Sequence, residues 1–117
     1  MEGWQQSRVA SPGDALYKAA QSVGAQDLAS QTNHFSSGYG DVWTMALVLK
    51  KCGVPCSAQN LQKTAETMGD INVPDDTYFG PIRFSAQSHF GETAPQFYKL
   101  DSTGNAITAA GPIQQTQ

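Results

Sequence analysis

The sequence predicts an α/β fold, or an α+β fold for a chain that stands alone, with about three helices, then a short strand and a C-terminal β-hairpin. Three observations support this prediction. The first half places apolar residues at helical spacing between capping residues and glycines. After Gly69 the apolar spacing changes to an alternation, which is typical of strands. Near the end, residues 101–104 have the composition of a tight turn between two alternating runs.

The 117 residues are expected to form one domain, because a chain of this size supports a single hydrophobic core. We assign residues 11–109 to this domain, residues 1–10 to a loose N-terminal segment and residues 110–117 to a Gln-rich tail. Seven Lys and Arg against ten Asp and Glu give a formal charge of −3, so nucleic acid is not an expected partner. The chain shows no signal-peptide pattern, and no apolar run has the length of a membrane span.

The first helix is predicted from Ser11 to Val23. Residues 11–14 read Ser-Pro-Gly-Asp, which offers a capping hydroxyl, a proline at the first helical position and an acid three residues after the cap. Gly24 is the expected left-handed stop. The polar residues 26–37 are predicted as a loop or a short irregular helix. The apolar stripe of the first helix consists of Leu16, Ala19, Ala20 and Val23.

The strongest helix signal runs from Tyr39 to Cys52. Ser37 is expected to cap this helix, and Gly53 is expected to end it. Its apolar residues surround nearly the whole circumference, and a helix of this kind is normally buried on several sides. These apolar residues are Val42, Trp43, Met45, Ala46, Leu47, Val48 and Leu49.

A third helix is predicted from the cap Ser57 to Met68, with Gly69 as its stop. It should lie on the surface and bury one face, because its apolar stripe is narrow. The stripe consists of Leu61, Ala65 and Met68. Residues 82–84 form a short alternating run and are predicted as a strand. Residues 96–100 and 105–108 are predicted as the two strands of the hairpin.

The two cysteines, Cys52 and Cys56, are separated by three residues rather than by the two of thiol oxidoreductases. No third Cys or His lies near them in sequence, so a zinc site is not predicted. Two interpretations remain open. The cysteines are either two reduced thiols at a helix end or one local disulfide, because a turn through Gly53 and Pro55 allows the Cα separation of about 5.5 Å that a disulfide needs.

The sequence shows no recognisable catalytic or metal-binding pattern. His34 and His89 lie far apart in sequence without carboxylates at helical spacing, and they are interpreted as loop hydrogen-bonding residues. Asp75 and Asp76 lack the further ligands that a cation loop requires, and the glycine-rich residues 36–40 have neither phosphate-loop order. We therefore predict a protein that is not an enzyme and that carries no metal and no cofactor.

The order of the segments is more informative than any single motif. A helix that follows a Gly-Tyr pair ends in Lys-Lys-Cys-Gly at residues 50–53, a Ser-capped helix follows, and Gly-Pro-Ile at residues 80–82 precedes a polar crossover and the closing hairpin. In this order, residues 38–108 resemble the C-terminal part of the type I periplasmic solute-binding proteins of ABC importers, in the branched-chain amino-acid-binding-like group.

The resemblance implies a two-lobed α/β protein about three times as long as this chain. Its lobes close on a small organic solute, such as an amino acid or an aromatic acid, and it serves an ABC permease from a periplasmic or extracellular location. The backbone segment that holds the ligand carboxylate in that family lies outside this sequence. Phe35 and Tyr39, at the beginning of the long helix, are the positions expected to face the ligand cleft.

Two functions are therefore considered. The first is non-catalytic solute binding, by a fragment or a truncated relative of such a receptor, with aromatic residues lining the pocket. The second is a self-associating structural or interaction module without a small ligand. The long apolar helix needs more cover than this chain supplies, so we expect a homo-oligomer, specifically a two-fold dimer in which elements of the partner replace the missing sheet.

Overall fold

A computed structural model describes residues 2–5, 7–91, 93–103, 107–109 and 111–113. The fold is small and mixed, and helices predominate over strands. The elements in chain order are β1 (Glu2–Gln5), α1 (Ala15–Gln21), α2 (Gln26–Gln31), α3 (His34–Cys52), α4 (Ala58–Thr67), β2 (Gln96–Leu100) and β3 (Ile107–Ala109).

The strands form one antiparallel sheet in the order β1-β2-β3. Tyr98 faces Gly3 on one side and Ala109 on the other, so β2 is the central strand. β2 and β3 form the antiparallel pair expected near the end of the chain, whereas residues 104–106 of the predicted turn and second strand lie outside the described residues. Residues 2–5 were expected in a loose segment, but they pair with β2 because extended backbone can satisfy its hydrogen bonds at a sheet edge.

α1 begins later than the sequence predicts. Asp14, not Ser11, is the N-cap, and its carboxylate accepts hydrogen bonds from the backbone N–H groups of Tyr17 at 2.7 Å and Ser11 at 2.8 Å. Gly13 has a positive φ of 94°, so the chain turns there before the helix starts. Gly24, with φ 72°, follows the helix in the left-handed conformation expected of a stop.

The first core cluster lies between α1 and α2. It contains Leu16 and Ala20 of α1, Ala29 of α2 and Ala10 from the preceding segment. The predicted stripe of α1 is correct for Leu16 and Ala20, whereas Val23 lies beyond the helix and is 71% exposed. The small alanines allow the two short helices to approach closely.

α3 begins at His34, with Asn33 as its N-cap, so the expected cap Ser37 lies inside the helix. Its end at Cys52 is as predicted, and Gly53 follows with φ 81°. The expected burial on several sides is wrong for this chain, because the only buried α3 residues among those described are Ser36, Gly40 and Val48. Much of the remaining surface of α3 is open to solvent, where Val42 is 71%, Met45 52% and Leu49 47% exposed.

α4 has the predicted cap, with the Ser57 hydroxyl accepting from the Asn60 N–H at 3.1 Å. Gly69 follows the helix with φ 76°, also as predicted. Between α3 and α4, Cys52 and Cys56 form a disulfide with a Cα–Cα distance of 5.8 Å. The disulfide closes the loop that joins the two helices.

The second core cluster connects α3 and α4 to the segment that follows them. Val48, Ile71 and Ile82 are its buried members, and the predicted α4 stripe packs against them. The strand predicted at residues 82–84 is replaced by a single bridge, in which Ile71 and Ile82 exchange both backbone hydrogen bonds at 2.7 and 3.0 Å. Proline and glycine on both sides limit further pairing.

The molecule is a thin slab that extends 53 × 33 × 17 Å. Its radius of gyration is 15.9 Å, which exceeds the value of about 13 Å typical of a compact chain near this length. A slab of this thickness has little interior, which explains why the two core clusters are small. Among the described residues, none of the helices combines the length and apolarity that crossing a bilayer requires.

Candidate functional site

A groove lies between α3 and α4, and the segment at residues 84–89 closes one of its sides. Its larger part has a volume of about 350 Å³ and its smaller part about 190 Å³, and the two parts share Gln62, Ala65 and Phe84. We call this depression the α3–α4 groove. Its lining residues are Asp41, Thr44, Met45, Val48, Ala58, Leu61, Gln62, Ala65, Glu66, Phe84 and His89.

The floor of the groove is apolar because two helical stripes meet there. Met45 and Val48 are three residues apart on α3, and Leu61 and Ala65 are four residues apart on α4, so each pair lies on one helix face. Phe84 adds an aromatic ring from the segment after the Ile71–Ile82 bridge. The disulfide and the second core cluster hold these two helices next to each other.

One polar group of the groove is the Asp41 carboxylate in the first half of α3. The Tyr78 hydroxyl donates a hydrogen bond to Asp41 Oδ1 at 3.2 Å. Burial raises the pKa of Tyr78 above its ordinary value, and the negative charge of Asp41 raises it further. Tyr78 therefore remains a protonated donor at neutral pH. Because a carboxylate has about four acceptor positions, Asp41 keeps capacity for a further donor.

A second polar cluster lies in the smaller part of the groove. Glu66 Oε1 accepts a hydrogen bond from Gln62 Nε2 at 2.9 Å and lies 2.8 Å from His89 Nε2. The hydrogen bonds from Gln62 and His89, in that order of effect, lower the pKa of Glu66 below its ordinary value of 4.5. Glu66 is therefore ionised at neutral pH, and it is held in place by neighbours from its own helix and from the crossover.

This arrangement combines an apolar floor with two carboxylates. None of the described lining residues is a lysine or an arginine, so a ligand that carries only a carboxylate would meet like charge here. A protonated amine attached to an apolar body would match both the floor and the carboxylates. The groove is thus suited to amines and to the amino end of apolar amino acids.

Phe35 and Tyr39, the positions expected to face a cleft, lie elsewhere on α3. Their rings stack with centroids 5.6 Å apart, and both pack against the first core cluster. The Tyr39 hydroxyl donates to Asp75 Oδ2 at 2.5 Å, and burial, followed by this hydrogen bond, raises the Tyr39 pKa. The structure brings Tyr39 and Asp75 together, but neither lines the α3–α4 groove.

The remaining candidate residues are dispersed. His34 is exposed at the first turn of α3, and His89 contacts Glu66. Asp75 and Asp76 both adopt positive φ in the turn before Thr77. Within the described part of the chain, no three or more His, Cys, Asp or Glu side chains are grouped so that they could hold a metal ion.

The groove could not be predicted from the sequence, because three segments that are far apart along the chain build it. The α4 stripe was a usable signal, since Leu61 and Ala65 are groove residues. The α3 side of the groove was missed, because α3 was expected to be buried on several sides. Met45 was therefore predicted in a core, whereas it lines the groove. Nothing in the local sequence indicates that Glu66 and His89 meet across 23 residues.

The chain matches no family model, and no match was found among curated proteins or among solved structures. Clues to function therefore come from the groove, from the charges around it and from the surfaces that the fold leaves open.

Proposed function

We propose that the chain binds a small organic solute without catalysing a reaction, and that the solute carries a protonated amine on an apolar body. The α3–α4 groove carries this proposal, because it joins an apolar floor to the carboxylates of Asp41 and Glu66. Of the two solute classes that the sequence raised, the groove favours amino acids over aromatic acids. The reason is the negative charge of the Asp41 and Glu66 carboxylates, which would repel a ligand that carries only a carboxylate.

The dimensions of the groove support a ligand of amino-acid size. Small-molecule sites typically occupy about 300–1,000 Å³ and place a few polar groups around a mainly apolar lining. The larger part of the groove, at about 350 Å³, meets the lower limit of this range. Phe84 offers a ring face to an apolar side chain or to the amine itself.

The resemblance of residues 38–108 to type I solute-binding proteins supports the same function and an α/β classification. In this proposal the chain is a fragment or truncated relative of a receptor that delivers its solute to an ABC permease. The Cys52–Cys56 disulfide fits a periplasmic or extracellular location, because disulfides persist in oxidising compartments. The protonated Tyr78 hydroxyl serves as an anchor for Asp41 and requires no catalytic role.

The proposal predicts selective binding of amines in the groove. Phenethylamine and L-phenylalanine should shift the amide signals of groove residues in NMR titrations of the ¹⁵N-labelled chain, whereas 3-phenylpropionate should not. Glu66→Gln and Asp41→Asn should each weaken phenethylamine binding by about tenfold, because each removes a charged hydrogen-bond partner of the amine.

The matched control is Asp27→Asn, which removes one negative charge at an exposed position of α2, away from the groove. This variant should bind phenethylamine like the parent chain. The proposal fails if 3-phenylpropionate binds as well as the amine. It also fails if the three variants weaken binding equally, since that would reflect net charge alone.

The exposed face of α3 favours a second candidate function, self-association. Val42, Met45, Ala46 and Leu49 form what we call the α3 stripe, and their spacing of three and four residues is the spacing of helix-pairing seams. A two-fold axis between Met45 and Ala46 would oppose the large Met45 to the partner's small Ala46. The same axis would set Val42 against the partner's Leu49, so the stripe is complementary to itself.

Self-association predicts a dimer by light scattering at micromolar chain concentration. Leu49→Glu should convert it to a monomer, because the charge would be buried opposite apolar Val42. Val23→Glu places the same charge at a position outside the stripe that is 71% exposed, against 47% for Leu49, and should leave the dimer intact. A parent chain that stays monomeric at this concentration excludes the second candidate.

A further inference from the structure

Arg8 occupies a fixed position between α3 and the segment that follows Pro74. Its backbone N–H donates to the Thr77 carbonyl at 2.8 Å. The preceding residue, Ser7, is fully buried, and its hydroxyl lies 2.9 Å from that of Ser37 in α3. Because both neighbouring groups are bonded, the chain holds the base of the Arg8 side chain in place.

The Arg8 guanidinium lies over an aromatic face. Its Cζ is 4.4 Å from the centroid of the Phe79 ring, and Phe79 in turn lies 6.4 Å from the Tyr98 ring. Burial raises the pKa of Tyr98, and the positive charge of Arg8 opposes this rise. The guanidinium is therefore stacked on Phe79. Nε is its buried nitrogen, so the terminal Nη groups form the edge that a ligand could reach.

This guanidinium has no counter-ion in the described part of the chain. Its Nε–H is buried and has no hydrogen-bond acceptor, and no carboxylate among the described residues pairs with Arg8. The second arginine, Arg83, differs in this respect, because its Nε donates to Asp70 Oδ1 at 2.6 Å. An anion bound at the Nη edge would supply the counter-ion that the guanidinium does not find among the described residues.

We propose that Arg8, Phe79 and Tyr98 form a binding site for a small aromatic carboxylate. The carboxylate would accept hydrogen bonds from the edge of the guanidinium, whose planar fork matches its two oxygens. Arg8 is only half-buried, so an anion can approach it from solvent. The rings of Phe79 and Tyr98 give the organic part of the ligand an apolar, stackable surface.

This site is separate from the α3–α4 groove in its residues and in its charge. None of the three residues lines the groove, and the preferred ligand is an anion instead of an amine. The inference therefore does not depend on the proposed function. A failure of phenethylamine to bind would leave it unaffected.

The two arginines allow an internal comparison in one experiment. In ¹H–¹⁵N spectra, each arginine contributes one Nε–H signal, and benzoate is the probe. The Arg8 signal should move saturably as benzoate binds the Nη edge of the same guanidinium, while the Arg83 signal should stay unchanged. Phenol lacks the carboxylate and sulfate lacks the ring. Each should bind with less than one tenth of the affinity of benzoate.

Variants test the assignment through the backbone amides of Thr77 and Tyr98. Arg8→Gln should abolish the benzoate response, and Arg8→Lys should weaken it at least about tenfold, because lysine keeps the charge but loses the planar fork. Phe79→Leu should also weaken binding, and this variant decides the matter if Arg8→Gln does not fold. The proposal is overturned by equal shifts of both arginine signals, by sulfate binding as tightly as benzoate, or by an unchanged response in folded variants.

Discussion

Gly40→Ala is expected to destabilise the chain by about 1–3 kcal/mol, although the same exchange normally stabilises a helix. Gly40 is buried inside α3, and a Cβ atom there would collide with the ring and hydroxyl of Tyr78. The ring would have to move, and its hydrogen bond to Asp41 would be lost. Denaturant unfolding followed by circular dichroism measures the change in the free energy of unfolding.

Gly38→Ala, two residues earlier on the same helix, is the matched control. Apart from its chain neighbours and the backbone of its own helix, nothing lies within 4 Å of the Cβ position at Gly38, so this variant should gain about 0.5–1 kcal/mol from the better helix propensity of alanine. The two substitutions are chemically identical and should have opposite signs. A stabilising effect at both positions would show that Tyr78 does not pack on α3 at Gly40.

Ile71→Ala is expected to cost about 2–5 kcal/mol, a large part of the stability of a domain of this size. Ile71 is 1% exposed and packs with Val48 and Ile82 at the centre of the second core cluster. Truncation leaves a cavity that the bridge to Ile82 prevents from closing, because both backbone hydrogen bonds fix the spacing of these residues. The free energy of unfolding from urea titration gives the measurement.

Two further substitutions calibrate this expectation. Ile71→Val removes one methylene group and should cost about 0.5–1.5 kcal/mol. Val54→Ala changes a side chain that is fully exposed and should alter stability by less than about 0.5 kcal/mol. If Ile71→Ala costs no more than Val54→Ala, the second core cluster does not hold the described arrangement together.

Local signals in the sequence predicted the ends of the helices well. Ser57 caps α4, and the helices end before Gly24, Gly53 and Gly69, because these effects depend on the chemistry of one or two residues. The start of α1 was wrong for an equally local reason. Asp14 can accept two backbone N–H groups at once, whereas a serine hydroxyl at residue 11 would cap only one.

Which helix faces are covered and which segments pair depends on tertiary packing, and local sequence patterns do not predict it. The apolar circumference of α3 correctly predicted a long helix, but which face is covered depends on elements that meet it from far along the chain. Residues 82–84 have the alternation of a strand, yet their backbone forms only the Ile71–Ile82 bridge and one hydrogen bond from the Arg83 N–H to the Gly91 carbonyl among the described residues. The α3–α4 groove was unpredictable for the same reason, since Asp41, Glu66 and Phe84 come from three different segments.

The thinness of the slab has a consequence for how variants of this protein should be interpreted. Tyr78 contacts Gly40 and Asp41 of α3, while its immediate neighbour Phe79 contacts Arg8 and Tyr98. One dipeptide thus belongs to the surroundings of both proposed sites. Any backbone displacement at this dipeptide would be transmitted to both, so a loss of binding in a Tyr78 or Phe79 variant identifies a site only when both ligands are titrated.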